Sequence, residues 1–468
     1  MKTWILIFGI IYGGILTWLA WRSRQRNNSA DDFILGGAKL GLLVGLLTTA
    51  ATLFSTFTMQ GMPDFFRNHG IGAWIFLMAS NGFMFFTIVW FSYYLRKKVA
   101  IKGFQGMGGL LRNCYQTPLA GIAYFVGVFF FLIPYVAIQI RGIGFFLQET
   151  FPDALPYWAW GLIILVIMLL YSETGGLKAI IFADVLQGTL LLFVIWVIAF
   201  SCIDKVGGVN EMFAQVEQSN PSLLSTPGPK GLFSPLFLIA TLISISFIPI
   251  TQPQISTRLV IMKSIKETHR MAVGMGIFAF LVVIPTICIG LYGAIQYPDL
   301  STQEFLGKAL LFDQAGFIAA AAIIGLLAAA ISTSDSQIFA LGSELRSLIK
   351  GEEDKVLLYT RLFVIGFAFI TYAFSLVGGD QLVLLALTGF AGTALLGPMV
   401  LAGILSKQAP GKEVPIMTLI GTGIFLLILF KLFPISSGNW RQDWLVLLGL
   451  VSVGTIASLL IRKQQQVE

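Results

Sequence analysis

The polar residues best placed to do chemistry lie in one segment, AAISTSDSQ at 329–337, inside a long apolar stretch. Ser332, Asp335 and Ser336 are spaced i, i+3 and i+4, so they share one face of a helix. Thr333 lies about 100° around that helix from Ser332. Hard cations prefer oxygen ligands, so these hydroxyls and this carboxylate predict a site for an ion such as sodium. The alternative is that the hydroxyls bond to carbonyls of their own helix.

A second candidate group is Asp184, which lies a few residues inside another apolar stretch. At 1.5 Å rise per residue, Asp184 and Asp335 are predicted at similar depth, roughly 9 Å from the same end of their helices. Two ionised carboxylates repel at low dielectric, so one is expected to bind a cation or hold a proton. A structural hydrogen-bonded pair of acids is the alternative.

A third group of small polar residues precedes a possible helix break. If the helix breaks there, its freed carbonyls could coordinate a cation while the hydroxyls face a solute. These residues are Ala51, Thr52, Ser55, Thr56 and Thr58. Three further side chains on neighbouring apolar stretches are predicted to face inward, namely Asn81, Tyr135 and Gln139.

The composition identifies the elements that must hold these groups. Of 468 residues, 56% are apolar and 11% are charged, and the mean hydropathy is +0.84. Soluble domains carry about 25% charged residues, so a soluble enzyme, a disordered protein and a nucleic-acid binder are excluded. The three cysteines and two histidines show no metal-binding spacing.

The hydropathy pattern predicts a single transmembrane domain over residues 1–468. A bilayer span needs about 20 apolar residues. Thirteen spans are predicted, at 3–21, 40–60, 71–95, 118–148, 157–171, 178–203, 234–257, 271–296, 314–342, 357–377, 382–405, 415–433 and 443–461.

The distribution of Lys and Arg predicts the topology. With thirteen spans, 22 of the 30 basic residues fall on one side of the membrane and 8 on the other. Basic residues collect in cytoplasmic loops. The N-terminus is therefore predicted outside and the C-terminus in the cytoplasm, in a bacterial-type plasma membrane.

Two of the spans are predicted to be interrupted. The second contains TTAATLFSTFTMQGMP, and the seventh, SFIPITQPQIST, contains Pro249 and Pro253. The two lie five spans apart, so they are expected to run in opposite directions. Paired broken helices in inverted halves are typical of secondary transporters, although Pro and Gly are also common in ordinary membrane helices.

Five ordered motifs carry a family resemblance. They are DFILGGAK (32–39), YSETGGLKA with DVLQ (171–187), QPQISTRLVIMKS (252–264), ISTSDSQ (331–337) and LTGFAGTALLGP (387–398). Together they resemble motifs of the sodium:solute symporter family, especially its bacterial proline and pantothenate permease branch.

This resemblance implies an all-α membrane protein with a LeuT-type fold of about thirteen helices. An extra helix at 3–21 would precede two inverted five-helix repeats at 40–203 and 234–405. Two C-terminal helices at 415–461 would follow.

The resemblance also implies where ligands bind. One sodium ion would lie against the carbonyls of Ala51, Phe54 and Ala329 and the hydroxyls of Ser332 and Thr333. A second cation, or a proton, would lie among Asp184, Ser332, Asp335 and Ser336. Because Asp335 replaces a serine of the family pattern, the number of ions stays open. The solute would contact Ser55, Thr58, Gln60, Pro249 and Pro253.

These expectations describe a transporter rather than an enzyme. Its ligands would be Na+ and a small organic solute, a carboxylate or an amino-acid-like molecule, imported by alternating access. A monomer in the lipid bilayer would be the functional unit, with no nucleic acid as partner. Two alternatives remain open: a proton-coupled symporter that uses Asp335 or Asp184 as carrier, and a transporter-like membrane sensor.

Overall fold

The computed structural model describes residues 1–24, 39–377, 382–430, 432 and 440–464, and its regular elements in these ranges are helices. The first nine are α1 (Lys2–Arg24), α2 (Leu42–Leu53), α3 (Phe57–His69), α4 (Ala73–Lys102), α5 (Met107–Tyr115), α6 (Pro118–Thr150), α7 (Tyr157–Lys205), α8 (Val209–Ser219) and α9 (Pro235–Thr251). The others are α10 (Pro253–Ile261), α11 (Ile265–Gln296), α12 (Thr302–Gly307), α13 (Gly316–Leu348), α14 (Glu353–Val377), α15 (Leu382–Ala394), α16 (Gly397–Leu405), α17 (Glu413–Leu429) and α18 (Trp440–Gln464).

The predicted spans correspond to apolar helical segments. Among the described residues, nine helices are long and apolar enough to cross a membrane, and two bent helix pairs raise the number to eleven. Two shorter apolar segments, Tyr157–Leu170 and Glu413–Leu429, lie where two more spans are predicted. Both are shorter than the ~20 residues that a span needs, so the count of thirteen stays a prediction.

The helix α13 defines two sides of the molecule, which we call the Gly316 side and the Leu348 side. A short loop joins α13 to α14, and the two helices pack against each other, so α14 returns to the Gly316 side. The amino-terminal end of α5 lies on the Leu348 side, because Glu344 accepts hydrogen bonds from the backbone N–H groups of Met107 and Gly108.

The two broken helices run in opposite directions. On the Leu348 side, the chain before α2 pairs with the chain after α10: Leu40 N donates to Ile261 O, and Lys263 N donates to Leu40 O. At the other end, the ring of His69 lies 6.2 Å from that of Phe233, just before α9. The antiparallel arrangement follows from these contacts, whereas the two five-helix repeats stay a prediction.

The breaks have different local causes. Pro253 lacks an N–H group and disfavours a helical residue before it, and Gln252 is extended, with φ −97° and ψ 121°. The first break has no proline; Ser and Thr side chains compete there for the backbone. The bends are 60° between α2 and α3 and 53° between α9 and α10. The spans run on to His69 and Ile261, beyond the predicted limits of residues 60 and 257.

The element α7 contains two of the predicted spans. The sequence predicts spans at 157–171 and 178–203 with a turn between them, and α7 is one helical element of 49 residues with apolar segments at Tyr157–Leu170 and Leu177–Lys205. Both of its ends lie on the Gly316 side: Tyr157 Oη donates to Ser375 O near the end of α14, and Lys205 Nζ donates to Asp313 O. Because Leu177 packs against Phe339 on the Leu348 side, α7 must double back between its two predicted spans.

The centre of the molecule is built around α13. This helix packs against α1, α2, α6 and α7, so the polar segment from Ser332 to Gln337 is buried throughout. Large apolar side chains point outward instead, as with Ile10 on α1, Phe86 on α4 and Phe193 on α7. An apolar exterior around a polar interior is the pattern expected of a protein in lipid.

Cysteine labelling tests the predicted orientation. After replacement of the three native cysteines, Ser225→Cys on the Gly316 side should react with a membrane-impermeant thiol reagent added outside cells. Gln105→Cys, near Glu344 on the Leu348 side, should react only after the cells are opened. The reverse labelling pattern would show that the positive-inside argument assigns the wrong side.

Candidate functional site

The break between α2 and α3 is held open by side chains. Ser55 N donates to Thr58 Oγ1 at 3.1 Å, and Phe57 N donates to Ser55 Oγ at 3.2 Å. These bonds replace helical ones, and Phe54 between the two helices is extended, with φ −94° and ψ 115°. The carbonyls near the end of α2 therefore point to partners outside the helix. Tyr135 Oη on α6 donates to one of them, Leu53 O, at 3.0 Å.

Four of the five predicted sodium ligands meet beside this break. Ser332 Oγ donates to Ala51 O at 3.0 Å and to Ala329 O at 3.1 Å, and Thr333 Oγ1 donates to Ala51 O at 3.1 Å. All four residues are buried. These contacts do not include the fifth predicted ligand, Phe54, which lies buried in the break. Two carbonyls and two hydroxyls from α2 and α13 form a set of oxygens that suits a hard monovalent cation.

Asp184 has a charged partner that the sequence analysis did not identify. Arg258 Nη2 donates to Asp184 Oδ2 at 2.8 Å, with the two side chains 1% and 0% exposed. Thr48 Oγ1 donates to the same carboxylate oxygen at 2.6 Å. Arg258 also donates through Nε to Thr48 Oγ1 and through Nη1 to Gln254 O. The pair joins α7 to α10, the second half of the other broken helix.

Ser336 belongs to the same network. Its Oγ accepts hydrogen bonds from Arg258 Nη2 at 2.8 Å and from Thr52 Oγ1 at 3.1 Å. Since a cation would have to compete with these two donors, Ser336 suits a second sodium ion less well than the sequence suggested.

Asp335 stands apart from this network. It is 1% exposed, and neither of its carboxylate oxygens has a hydrogen-bond partner among the described residues. Its neighbour Ser336 shares the donor Arg258 Nη2 with Asp184, so the two acids lie on helices that pack together, as expected. Arg258 already neutralises Asp184. A buried carboxyl group without a partner is a candidate for binding a cation or a proton.

Substitution of Asp335 distinguishes whether this carboxyl group binds a cation or a proton. Because Ser336 is engaged elsewhere, we expect Asp335→Asn to flatten the pH dependence of transport and to leave the sodium Hill coefficient unchanged. Initial uptake rates across pH and sodium concentration measure both quantities. The control is Asp313→Asn on the Gly316 side, where the carboxylate bonds Tyr292 and Tyr297. A lower Hill coefficient with an unchanged pH profile would instead indicate a second sodium ion.

The predicted solute residues divide into three groups. Four of them meet at the first break: Ser55 and Thr58 cap the backbone there, Tyr135 caps Leu53, and Gln139 Nε2 donates to Ser55 Oγ at 3.3 Å. All four side chains are buried. They therefore form one polar cluster between α6 and the break.

Gln60 lies two residues beyond Thr58 on α3 and faces a cavity of about 290 Å³ toward the Gly316 side. The cavity lies between α3, α6, α12 and α15, where Phe146, Thr302 and Leu382 contribute to its lining. Gln60 Nε2 donates to Gly142 O at 3.2 Å. This cavity adjoins the polar cluster, so it is the candidate route for a solute.

The other predicted residues lie elsewhere. Pro249 and Pro253 are buried on either side of the second break and belong to α9 and α10. Asn81 on α4 donates its amide to Leu77 O, four residues earlier in the same helix, at 2.6 Å. No hydrogen bond among the described residues joins Asn81 to the other candidates, so its place in a solute site stays a prediction.

The sequence around Arg258 indicates a buried charged residue, although Arg258 lies just beyond the predicted end of a span. The predicted end of the seventh span at residue 257 places Arg258 in a cytoplasmic loop. In the structure α10 extends to Ile261, so Arg258 lies within the broken span and is 1% exposed. A charged residue followed at once by Leu-Val-Ile-Met is the pattern of an intramembrane group with a partner.

Comparisons with known proteins identify transporters as relatives of this chain. "Uncharacterized symporter YhjB" of Bacillus subtilis (strain 168) is 23% identical over 98% of this chain and 97% of its own. The sodium/pantothenate symporter of Escherichia coli (strain K12) is 25% identical over 64% of this chain and 60% of its own. The high-affinity proline transporter PutP of Bacillus subtilis (strain 168) is 24% identical, with 82% and 83% covered.

Solved structures show the same fold. A Na+-coupled sialic acid symporter in a substrate-bound outward-open state has a TM-score of 0.78 at 17% identity, covering 98% of this chain and 97% of its own. Mhp1, a nucleobase-cation-symport-1 family transporter in a closed conformation, has a TM-score of 0.55 at 12% identity, with 91% and 93% covered. The fold is therefore that of LeuT-like transporters. The model of the sodium:solute symporter family matches residues 33–343, which is more than half of the sequence, so the chain belongs to that family of membrane transporters.

Proposed function

We propose that this protein is a sodium-coupled secondary active symporter that imports a small organic solute by alternating access. The observation that carries the proposal is the meeting of Ala51, Ala329, Ser332 and Thr333 beside the first break. Family membership supports sodium coupling, and the cavity at Gln60 supports a solute route.

Sodium at this cluster would join two elements that have to move relative to each other. Its ligands come from α2, half of a broken helix, and from α13, which packs against α6 and α7. An ion that bridges them favours the arrangement in which all its oxygens converge, and so shifts the population of states. A solute entering from the Gly316 side would then reach the polar cluster at the break and leave on the Leu348 side.

The cavity volume is consistent with a small solute. Ligand cavities usually measure about 300–1,000 Å³, and this one is at the lower end of that range, at about 290 Å³. Carboxylates and amino-acid-like molecules are the classes predicted from the sequence. The relatives named for pantothenate and proline suggest the first compounds to try.

A second candidate function is proton-coupled symport. It is favoured by Asp335, a carboxyl group that is 1% exposed and has no hydrogen-bond partner among the described residues. In that case the proton on Asp335, rather than the ion at Ser332 and Thr333, would supply the driving force.

Uptake into proteoliposomes tests the proposal. We expect accumulation of at least one solute from a panel under an inward sodium gradient, and none under a proton gradient alone. Accumulation driven by protons without sodium would favour the second candidate. Solute binding without accumulation under either gradient would favour the sensor alternative and contradict transport.

The cellular setting and the assembly are part of the proposal. We propose a bacterial-type plasma membrane, with the N-terminus outside, and a monomer as the transporting unit. Since the lining of the cavity comes from one chain, a single copy contains both candidate sites. Uptake that stays proportional to the number of liposomes holding one molecule each would support the monomer.

A further inference from the structure

The start of α3 is the place where a negatively charged solute would be expected to bind. In transporters with broken helices, the N–H groups and positive dipole end of a half-helix commonly point at an anionic group of the substrate. α3 begins at Phe57, just after the break and beside the polar cluster. Whether its N–H groups are free therefore bears directly on the charge of the solute.

Here those N–H groups are occupied by oxygens of the chain itself. Ser55 N donates to Thr58 Oγ1 at 3.1 Å, Thr56 N donates to Gln139 Oε1 at 3.1 Å, and Phe57 N donates to Ser55 Oγ at 3.2 Å. Thr58 N donates to Ser55 O at 2.8 Å. A carboxylate at this position would have to displace at least one of these acceptors.

Gln139 is the part of this cap that comes from another helix. Its Nε2 donates to Ser55 Oγ at 3.3 Å and to Tyr135 O at 3.1 Å, so both ends of the amide are engaged. The side chain is fully buried on α6. Its partners fix the orientation of the amide, because the reverse orientation would place the NH2 group against the N–H of Thr56. Gln139 is therefore a fixed acceptor in the position that a solute carboxylate would take.

The adjoining cavity carries no charge of its own. Its described polar lining consists of amide and hydroxyl groups from Gln60, Ser301, Thr302 and Gln303, and rings such as Phe145 and Phe146 form an apolar wall. None of its described lining residues is charged. Such a lining can form hydrogen bonds with hydroxyl and amide groups of a solute, but it has no charged side chain to neutralise an ionic solute.

Of the two carboxylates that bond the lining hydroxyls, Asp64 is neutralised by Arg67, and Glu304 carries a charge that disfavours an anion. Thr302 Oγ1 donates to Asp64 at 2.9 Å, and Ser301 Oγ donates to Glu304 at 2.7 Å, so two carboxylates stand directly behind lining hydroxyls. Arg67 Nη2 lies 2.8 Å from Asp64 Oδ1 and neutralises this carboxylate. Its Nη1 donates to the carbonyls of Tyr297 and Leu300.

The other nearby cation is Arg141. It donates to Ser375 O, and its guanidinium lies 4.6 Å from the centre of the Phe145 ring. It does not itself line the cavity. The sodium cluster is also separate, because its ligands belong to α2 and α13, on the other side of the break from Gln60.

We propose that the solute is an uncharged molecule that bears hydroxyl or amide groups beside an apolar face, and that Gln139 excludes free carboxylates. This inference rests on the proposed symport function. It replaces the carboxylates and amino-acid-like molecules expected from the sequence with their neutral alcohol and amide analogues. Gln139 acts as a specificity-determining residue because it caps Thr56, where a carboxylate would otherwise bind.

Matched pairs of compounds test the solute class on the wild-type protein. The probes are pantothenate with its alcohol pantothenol, and lactate with lactamide, titrated against the purified protein in sodium while thermal stability is recorded. We expect a neutral member to stabilise the protein at a concentration at least tenfold lower than its carboxylate. Tighter binding of a carboxylate or of the cation choline would overturn the proposal, as would a panel in which no neutral member binds.

Variants test the role of Gln139. Gln139→Ala frees the N–H of Thr56, so the affinity for carboxylates should rise at least tenfold relative to the affinity for their neutral partners. Gln139→Leu preserves more of the packing and should shift selectivity in the same direction. Asn113→Ala removes an exposed amide that bonds Lys102 O, away from both candidate sites, and should not change selectivity. If the Gln139 variants bind both members of a pair more weakly to the same extent, Gln139 does not determine specificity. The same conclusion would follow if Arg141→Met abolished carboxylate binding, because Arg141 would then be the group that selects for charge.

These outcomes differ from a failure of the proposed function. If symport is wrong, sodium will neither stabilise the protein nor alter binding of any compound, whatever the charge of the compound. If only the solute class is wrong, sodium will still stabilise the protein, and the charged members of the pairs will bind best.

Discussion

Arg258→Met is expected to destabilise the protein by about 3–5 kcal/mol, the usual effect of removing one partner of a buried ion pair. Arg258 and Asp184 are 1% and 0% exposed, and Arg258 donates to this carboxylate at 2.8 Å. Without the guanidinium, an ionised Asp184 would keep only the hydrogen bond from Thr48. Unfolding in mixed micelles, followed by circular dichroism, measures the change, and the yield of monodisperse protein should fall with it.

The double variant Asp184→Asn/Arg258→Met shows whether the loss of stability in Arg258→Met comes from the unpaired charge or from lost packing. Replacing both members of a buried pair is often close to neutral, so the double variant should recover most of the stability lost in the single variant. A single variant as stable as the wild type would contradict the prediction. It would mean that a cation or a proton neutralises Asp184, and sodium or low pH would then stabilise that variant selectively.

The second large effect is expected for sodium affinity. Ser332→Ala and Thr333→Ala each remove one hydroxyl from the cluster around Ala51 without adding bulk. We expect each substitution to raise the half-maximal sodium concentration about tenfold, which corresponds to about 1.4 kcal/mol of binding free energy. The double variant should lose more sodium affinity than either single variant. The two losses should not be additive, because both hydroxyls would contact the same ion.

Two matched substitutions control for the loss of any buried hydroxyl. Ser244→Ala and Thr371→Ala remove buried hydroxyls that bond only to their own helices, at Ala240 O and Ala368 O. Their sodium dependence should equal that of the wild type. Uptake and sodium-induced stabilisation should shift together in the site variants. Unchanged sodium dependence in both Ser332→Ala and Thr333→Ala would show that the ion binds elsewhere.

Much of the architecture could be predicted from local patterns in the sequence. Hydropathy located the helices, because each apolar stretch must satisfy its own backbone hydrogen bonds in lipid. Pro249 and Pro253 marked one broken helix, and the small polar residues around Ser55 marked the other. The spacing of Ser332, Thr333 and Asp335 predicted clustered oxygens on α13, because helical periodicity is a property of the segment itself.

Contacts between helices could not be predicted in the same way. Arg258 meets Asp184 across 74 residues of sequence, and Gln139 reaches Thr56 across 83. Neither pair has a local signature, since each depends on how two helices are rotated and offset against each other. The side chain of Asn81 bonds to Leu77 O of the same helix, and its place in a solute site stays a prediction.

The sequence alone therefore determined that the protein lies in a membrane, where its helices run, where two of them break, and which residues of α13 could offer oxygens to an ion. These properties depend on hydrophobicity and on backbone geometry within single segments. The family resemblance already paired Ala51 with Ser332 and Thr333, whereas the tertiary structure alone decided that Arg258 neutralises Asp184 and that Gln139 caps the start of α3. The physical reason is that a buried polar group takes its partner from whichever helix packs against it, and packing is settled by the whole chain.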